Sequence, residues 1–156
     1  MAADAGIPAV RVVVVSFDEL DARTAYDVWR LRQDVFVVEQ ACAYPDLDGR
    51  DREPGARHVL VHSDEGELIG YARVLDDLDL WRIGRVVVTP SMRGQGLAEG
   101  LMKRALVECR TRDVVLDAQA PLATWYESFG FVATGPEFLE DGIPHVPMRR
   151  GPRFTG

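Results

Sequence analysis

The chain has 156 residues, 47% of them hydrophobic, enough to bury a core of its own, and no linker-like stretch divides it. A formal charge of -7 argues against a general nucleic-acid binder, whose phosphate contacts need an excess of Lys and Arg, and suits a cationic or amine-bearing partner. Cys42 and Cys109 are the only cysteines and have no C-x-x-C spacing, and the three histidines have no ligand-like spacing, so neither a disulfide framework nor a metal site is indicated.

Residues 1–8 lack the basic start and apolar stretch of a signal peptide, and no apolar run approaches the roughly twenty residues of a membrane helix. The expectation is a soluble, cytoplasmic protein without membrane attachment: one domain over residues 9–150, with flexible termini at 1–8 and 151–156. Residues 10–17 are a β-branched run suited to a strand, and the acidic residues of 18–21 suit a helix start. Over residues 22–40, Ala25, Val28, Trp29, Leu31, Val35, Phe36 and Val38 recur at near-helical spacing, which predicts an amphipathic helix broken near Val35. Residues 41–56 lose that period and gather Pro45, Gly49, Pro54 and Gly55 with Asp46, Asp48, Asp51 and Glu53, so they form a loop. Strands are predicted over 58–62 and 68–75, joined as a hairpin, and over 80–89. A helix follows over 97–109, a short strand over 114–116, a short helix over 121–129, a strand from Gly130-Phe131, a turn at Asp141-Gly142 and a last strand over 145–148. The order predicts an α/β (α+β) fold: a mixed, mostly antiparallel sheet of six to seven strands with flanking helices and one crossover.

Between the third strand of the middle series and its helix lies Arg93-Gly94-Gln95-Gly96-Leu97-Ala98. Gly94 and Gly96 clear side chains from a place where the helix beginning near Gly96 presents unpaired N–H groups and the positive end of its dipole. Such a place suits a pyrophosphate; two glycines taken alone favour a plain turn between strand and helix. The spacing is neither G-x-x-x-x-G-K-[ST] nor a G-x-G-x-x-G after an early strand of a parallel sheet.

Arg93-x-x-Gly96-x-Ala98 resembles the [QR]-x-x-G-x-[GA] signature that follows the fourth strand in the GNAT superfamily of N-acetyltransferases. Trp125-Tyr126-Glu127-Ser128-Phe129-Gly130-Phe131 resembles that superfamily's Y-x-x-x-G-F segment. The stretch from Leu31 to Gln40, with Tyr44-Pro45-Asp46-Leu47-Asp48, Gly84-Arg85-Val86, Ala118-Gln119-Ala120 and the segment from Glu140 to His145, is similar to its ElaA-like branch. The resemblance implies acetyl-coenzyme A as co-substrate, with no metal. Val86, Val87 and Val88 would line the acetyl group and pantetheine. Gln95, Gly96, Leu97 and Ala98 would hold the phosphates, Arg93, Gly94 and Gln119 would also bind the coenzyme, and the segment of Tyr126 would close the coenzyme site.

Acetyl transfer to an amine needs a neutral nucleophile, donors for an oxyanion and a proton for the departing thiolate. By resemblance Tyr126 supplies the proton, and a main-chain N–H near Val87 or Val88 faces the oxyanion. Glu39 is the first candidate for base, with His58 and His145 as the others, beside a chain of water. Asp46, Asp48, Asp51 and Glu53 could gather a cationic small-molecule or peptide amine, and a second copy of the chain is a possible partner. Two other functions fit parts of the pattern. One is an acyl-homoserine-lactone synthase, whose first segment resembles Arg32, Phe36, Asp48 and Asp51; the other is a coenzyme-binding regulatory module without turnover.

Overall fold

A computed structural model describes residues 9–152. The expected flexible termini 1–8 and, for the most part, 151–156 lie outside the described residues, and Gly151 and Pro152 are exposed and without regular structure. The first strand, β1 (Val10–Val15), leads through a short 3-10 turn to α1 (Ala22–Arg32), whose first turn is capped by the Asp21 carboxylate accepting from the Thr24 N–H at 2.7 Å. The expected break falls at Gln33 rather than Val35. Gln33–Glu39 forms wide π turns, closed by bonds from the Gln40 N–H to the Val35 carbonyl (3.1 Å) and from the Cys42 N–H to the Val37 carbonyl (3.0 Å).

Strands β2 (Arg57–Ser63), β3 (Leu68–Asp76) and β4 (Leu80–Val88) follow as an antiparallel series. A crossover through α2 (Leu97–Glu108) places β5 (Asp113–Gln119) parallel to β4. The chain continues through α3 (Ala123–Glu127), β6 (Val132–Ala133), β7 (Phe138–Glu140) and β8 (Ile143–Arg150). Among the described residues eight strands make one sheet in the order β1-β2-β3-β4-β5-β8-β6, with β7 paired to β8. β7 has no counterpart among the sequence-predicted strands: its three residues are all exposed, so it carries no alternation of apolar and polar positions.

Strand alternation divides the core between the two faces of the sheet. Val59 and Val61 of β2 face the side where Leu101, Met102 and Ala105 of α2 are buried, whereas Leu60 faces Val28 and Leu31 of α1. Among the described residues no helix is long and apolar enough to cross a membrane.

Two departures from regular pairing shape the middle of the sheet. β4 and β5 pair only from Leu80↔Asp113 to Arg82↔Val115, although both strands run on, to Val88 and Gln119. Between Tyr71↔Val87 and Arg73↔Gly84, β4 carries one residue more than β3, and Arg85 there takes a left-handed φ of 53°. β4 therefore stays on β3 while its other edge opens away from β5.

Candidate functional site

Among the described residues no strand pairs the backbone groups of the open edge of β4 beyond Arg82. The Thr89 N–H donates to the Ile69 carbonyl of β3 at 2.9 Å, so by alternation the N–H and carbonyl of Val88 face away from β3. Consistent with that direction, the Val88 carbonyl accepts from Arg93 Nε at 3.2 Å. Beyond it the chain turns through Gly94 (φ 79°) and Gly96 (φ 80°) into α2, with Gly96 at the N-cap. A Cβ at either glycine meets nothing within 4 Å, so these positions require glycine for their backbone conformation and open onto free space. The first α2 bond runs from the Gly100 N–H to the Gly96 carbonyl, which leaves the N–H groups of the preceding turn free to meet an anion.

A cleft of about 870 Å³ occupies the divergence of β4 and β5. Val86, Val87, Val88, Arg93, Ala98, Gln119, Tyr126 and His145 all line it. Gly94, Gln95, Gly96 and Leu97 continue the loop between Arg93 and Ala98 without lining the cleft. A second, more polar hollow of about 410 Å³, near Ser16, Arg57 and Arg104, lies away from these residues.

Tyr126 is held in α3 by edge-on contacts with Trp125 and Phe131, and burial pushes its phenol up to about 12. At neutral pH it is a proton donor. His145 Nδ1 lies 2.7 Å from the Ile143 carbonyl, and a carbonyl can only accept. The proton of a neutral His145 therefore sits on Nδ1, leaving Nε2 as the basic nitrogen, 4.0 Å from Glu140.

The other two candidates for base are placed differently. Glu39 does not line the cleft; Arg93 donates to its two oxygens at 2.6 and 2.7 Å, and this pairing holds the carboxyl below its ordinary value. His58 is fully buried, with Nδ1 2.6 Å from the Tyr71 hydroxyl and Nε2 3.0 Å from the Asp51 carbonyl, and burial pushes its pKa down. Both of its nitrogens are engaged away from the cleft.

The acidic loop is occupied as well. The buried Arg32 donates from Nε to Asp46 (2.9 Å) and from Nη1 to Asp51 (2.6 Å), and Arg73 donates to Asp48 (2.8 Å) and Asp51 (3.0 Å). Arg85 Nε stands 2.8 Å from Asp46, off line for a hydrogen bond but close enough for an ion pair. Glu53 is paired with Arg50 at 2.8 Å. Apart from the Arg50–Glu53 pair inside the loop, these carboxylates tie residues 41–56 to α1, β3 and β4. The carboxylates that line the cleft without an arginine partner shown are Glu140 and Asp141, on the β7–β8 turn beside His145. Sequence reasoning marked that turn as Asp-Gly chemistry and did not place it at the site. Only the pairing of β8 with β5, which sets His145 opposite Gln119, brings it there.

The comparisons with known proteins agree with this geometry. Residues 33–151 match the family described as "Acetyltransferase (GNAT) domain". A UPF0039 protein of Mycobacterium bovis is 45% identical over 136 residues, 85% of this chain and 87% of the relative. The ElaA protein of Escherichia coli is 42% identical over 139 residues, 85% of this chain and 90% of the relative. The crystal structure of an acyl-CoA N-acyltransferase from Pseudomonas aeruginosa superposes with a TM-score of 0.87 at 39% identity, covering 92% of this chain and all of the other. An acyl-homoserine-lactone synthase structure shares the fold alone, at 18% identity and a TM-score of 0.73.

Proposed function

The chain belongs to the GNAT acetyltransferase family, in its ElaA-like branch, and from that premise we propose that it moves an acetyl group from acetyl-coenzyme A to a primary amine by direct attack in a ternary complex. The observation that carries this reading is the divergence of β4 from β5 ending at the Gly94–Gly96 loop. An extended thioester-bearing arm fits along the free β4 edge, and a pyrophosphate fits the loop and the start of α2.

Each chemical requirement then has a residue at the cleft. The amine attacks the thioester carbonyl, and the Val88 N–H, aimed away from β3, donates to the developing oxyanion. The Tyr126 phenol gives its proton to the departing thiolate. His145 Nε2 takes the proton that the amine loses as it becomes an amide. Glu39, its two oxygens bonded to Arg93, is not the base in this scheme. The acceptor is a cationic small molecule or peptide amine, because the cleft carboxylates left without an arginine partner shown are Glu140 and Asp141.

The test is thiol release from acetyl-coenzyme A with a panel of amines that pairs each monoamine with a diamine of equal length. Turnover with some amines and a lower KM for the diamines is expected. Acetyl-coenzyme A that binds without thiol release from any amine would leave a coenzyme-binding module instead. A thermal shift with S-adenosylmethionine and none with acetyl-coenzyme A would point to the lactone-synthase chemistry.

A further inference from the structure

The π-helical segment and the residue after it touch both sides of the β4–β5 divergence. Glu39, its last residue, receives the two Arg93 bonds at 2.6 and 2.7 Å, and the same guanidinium donates from Nε to the Val88 carbonyl at 3.2 Å. Gln40, the next residue, accepts at 3.1 Å from the Gln119 side chain, the last residue of β5. One short segment thus ties the end of β4 and the start of the glycine loop, through Arg93, to the end of β5, through Gln119.

An exposed ion pair is commonly worth little, but two conditions set this one apart. It is bidentate, so two charge-assisted bonds fix the guanidinium plane, and the third bond to Val88 makes it a network. Wide π turns inside a helix also recur at functional sites. Here they carry the adjacent Glu39 and Gln40 to partners on β4's loop and on β5.

We infer that Glu39 is a positioning residue: acting through Arg93, it holds the coenzyme loop and the open edge of β4 against the segment after α1, while Gln40 of that segment holds β5. This rests on the coenzyme reading of the loop and adds a consequence to it. Loss of Glu39 weakens the donor's binding and leaves the proton chemistry of the amine untouched.

The experiment is calorimetric binding of acetyl-coenzyme A to the wild type, E39A, R93A and the E39A/R93A double variant, with the pH profile of kcat/KM for E39Q measured alongside. Glu39 and Arg93 are partly exposed, so the variants should fold; circular dichroism checks this. About five-fold weaker binding is expected for E39A, as is no further loss when E39A is added to R93A, since Glu39 acts only through that arginine. Additive losses, or an E39A affinity equal to wild type, would overturn the inference. So would disappearance of the acidic limb in E39Q, which would make Glu39 the base. Because binding needs no turnover, wild type that binds acetyl-coenzyme A but acetylates nothing sinks the proposed activity and leaves this inference standing. Wild type that does not bind it overturns both.

Discussion

Tyr126 loses only one oxygen on replacement by phenylalanine, and its ring contacts with Trp125 and Phe131 remain. Y126F should therefore lower kcat on the order of 10²-fold, the usual worth of one positioned acid, while the affinity for acetyl-coenzyme A stays within about two-fold. Calorimetry beside steady-state thiol release separates the two quantities. Burial raises the phenol to about 12, so its donor form persists throughout the neutral and mildly alkaline range. His145 is tested by rate: H145Q keeps a polar side chain but has no basic nitrogen, so kcat should fall on the order of 10²-fold while the affinity for acetyl-coenzyme A stays within about two-fold. An unchanged kcat in H145Q would remove His145 from the mechanism.

The element proposed to bind the donor is strand, loop and helix taken together, and its two kinds of glycine should respond oppositely to alanine. Gly96 holds a φ of 80°, which costs a residue with a Cβ about 1–2 kcal/mol. G96A should lose about that much stability in urea and should weaken acetyl-coenzyme A more than ten-fold, because its methyl group enters the space beside the loop amides. Gly100 lies exposed inside α2 with open space around it, so G100A should gain about 0.5–1 kcal/mol. The same segment shows where sequence reasoning reaches. The β4 run, the Gly94-x-Gly96 spacing and the α2 period are local signals, and each fell within a residue or two of its observed bounds. The divergence of β4 from β5 is not local: it is a failure of pairing between residues about thirty positions apart, and nothing in either strand's composition announces it. Nor does the apolar period distinguish α turns from the wide turns after Arg32, since Val35 is buried in either.

At the scale of the whole molecule, charges that looked like an acceptor site are spent on holding the fold. Asp46, Asp48 and Asp51 stand in sequence as a free acidic loop because their partners, Arg32, Arg73 and Arg85, come from other elements. Arg32 is fully buried, so R32A strands Asp46 and Asp51 with part of their compensation gone. The expected cost is about 3 kcal/mol, on the order of 10 °C in Tm for a chain of this size. Alkaline pH tests the fold through different groups. Burial pushes the Cys109 thiol from 9.0 up to about 12 and the Tyr126 phenol from 10.0 up to about 12, and it raises Tyr71 as well. For each, the folded chain keeps a proton that the unfolded chain gives up earlier. Their contribution is complete below the unfolded values and is lost as pH climbs toward the folded ones. Urea midpoints should hold up to about pH 9 and then decline steadily, first through Cys109 and then through the tyrosines. Replacing Cys109 with alanine removes the earliest of these groups, so C109A should start from a lower midpoint, because a buried sulfur is lost, yet keep that midpoint flat until about pH 10. Parallel declines in wild type and C109A would show that the thiol does not govern the onset.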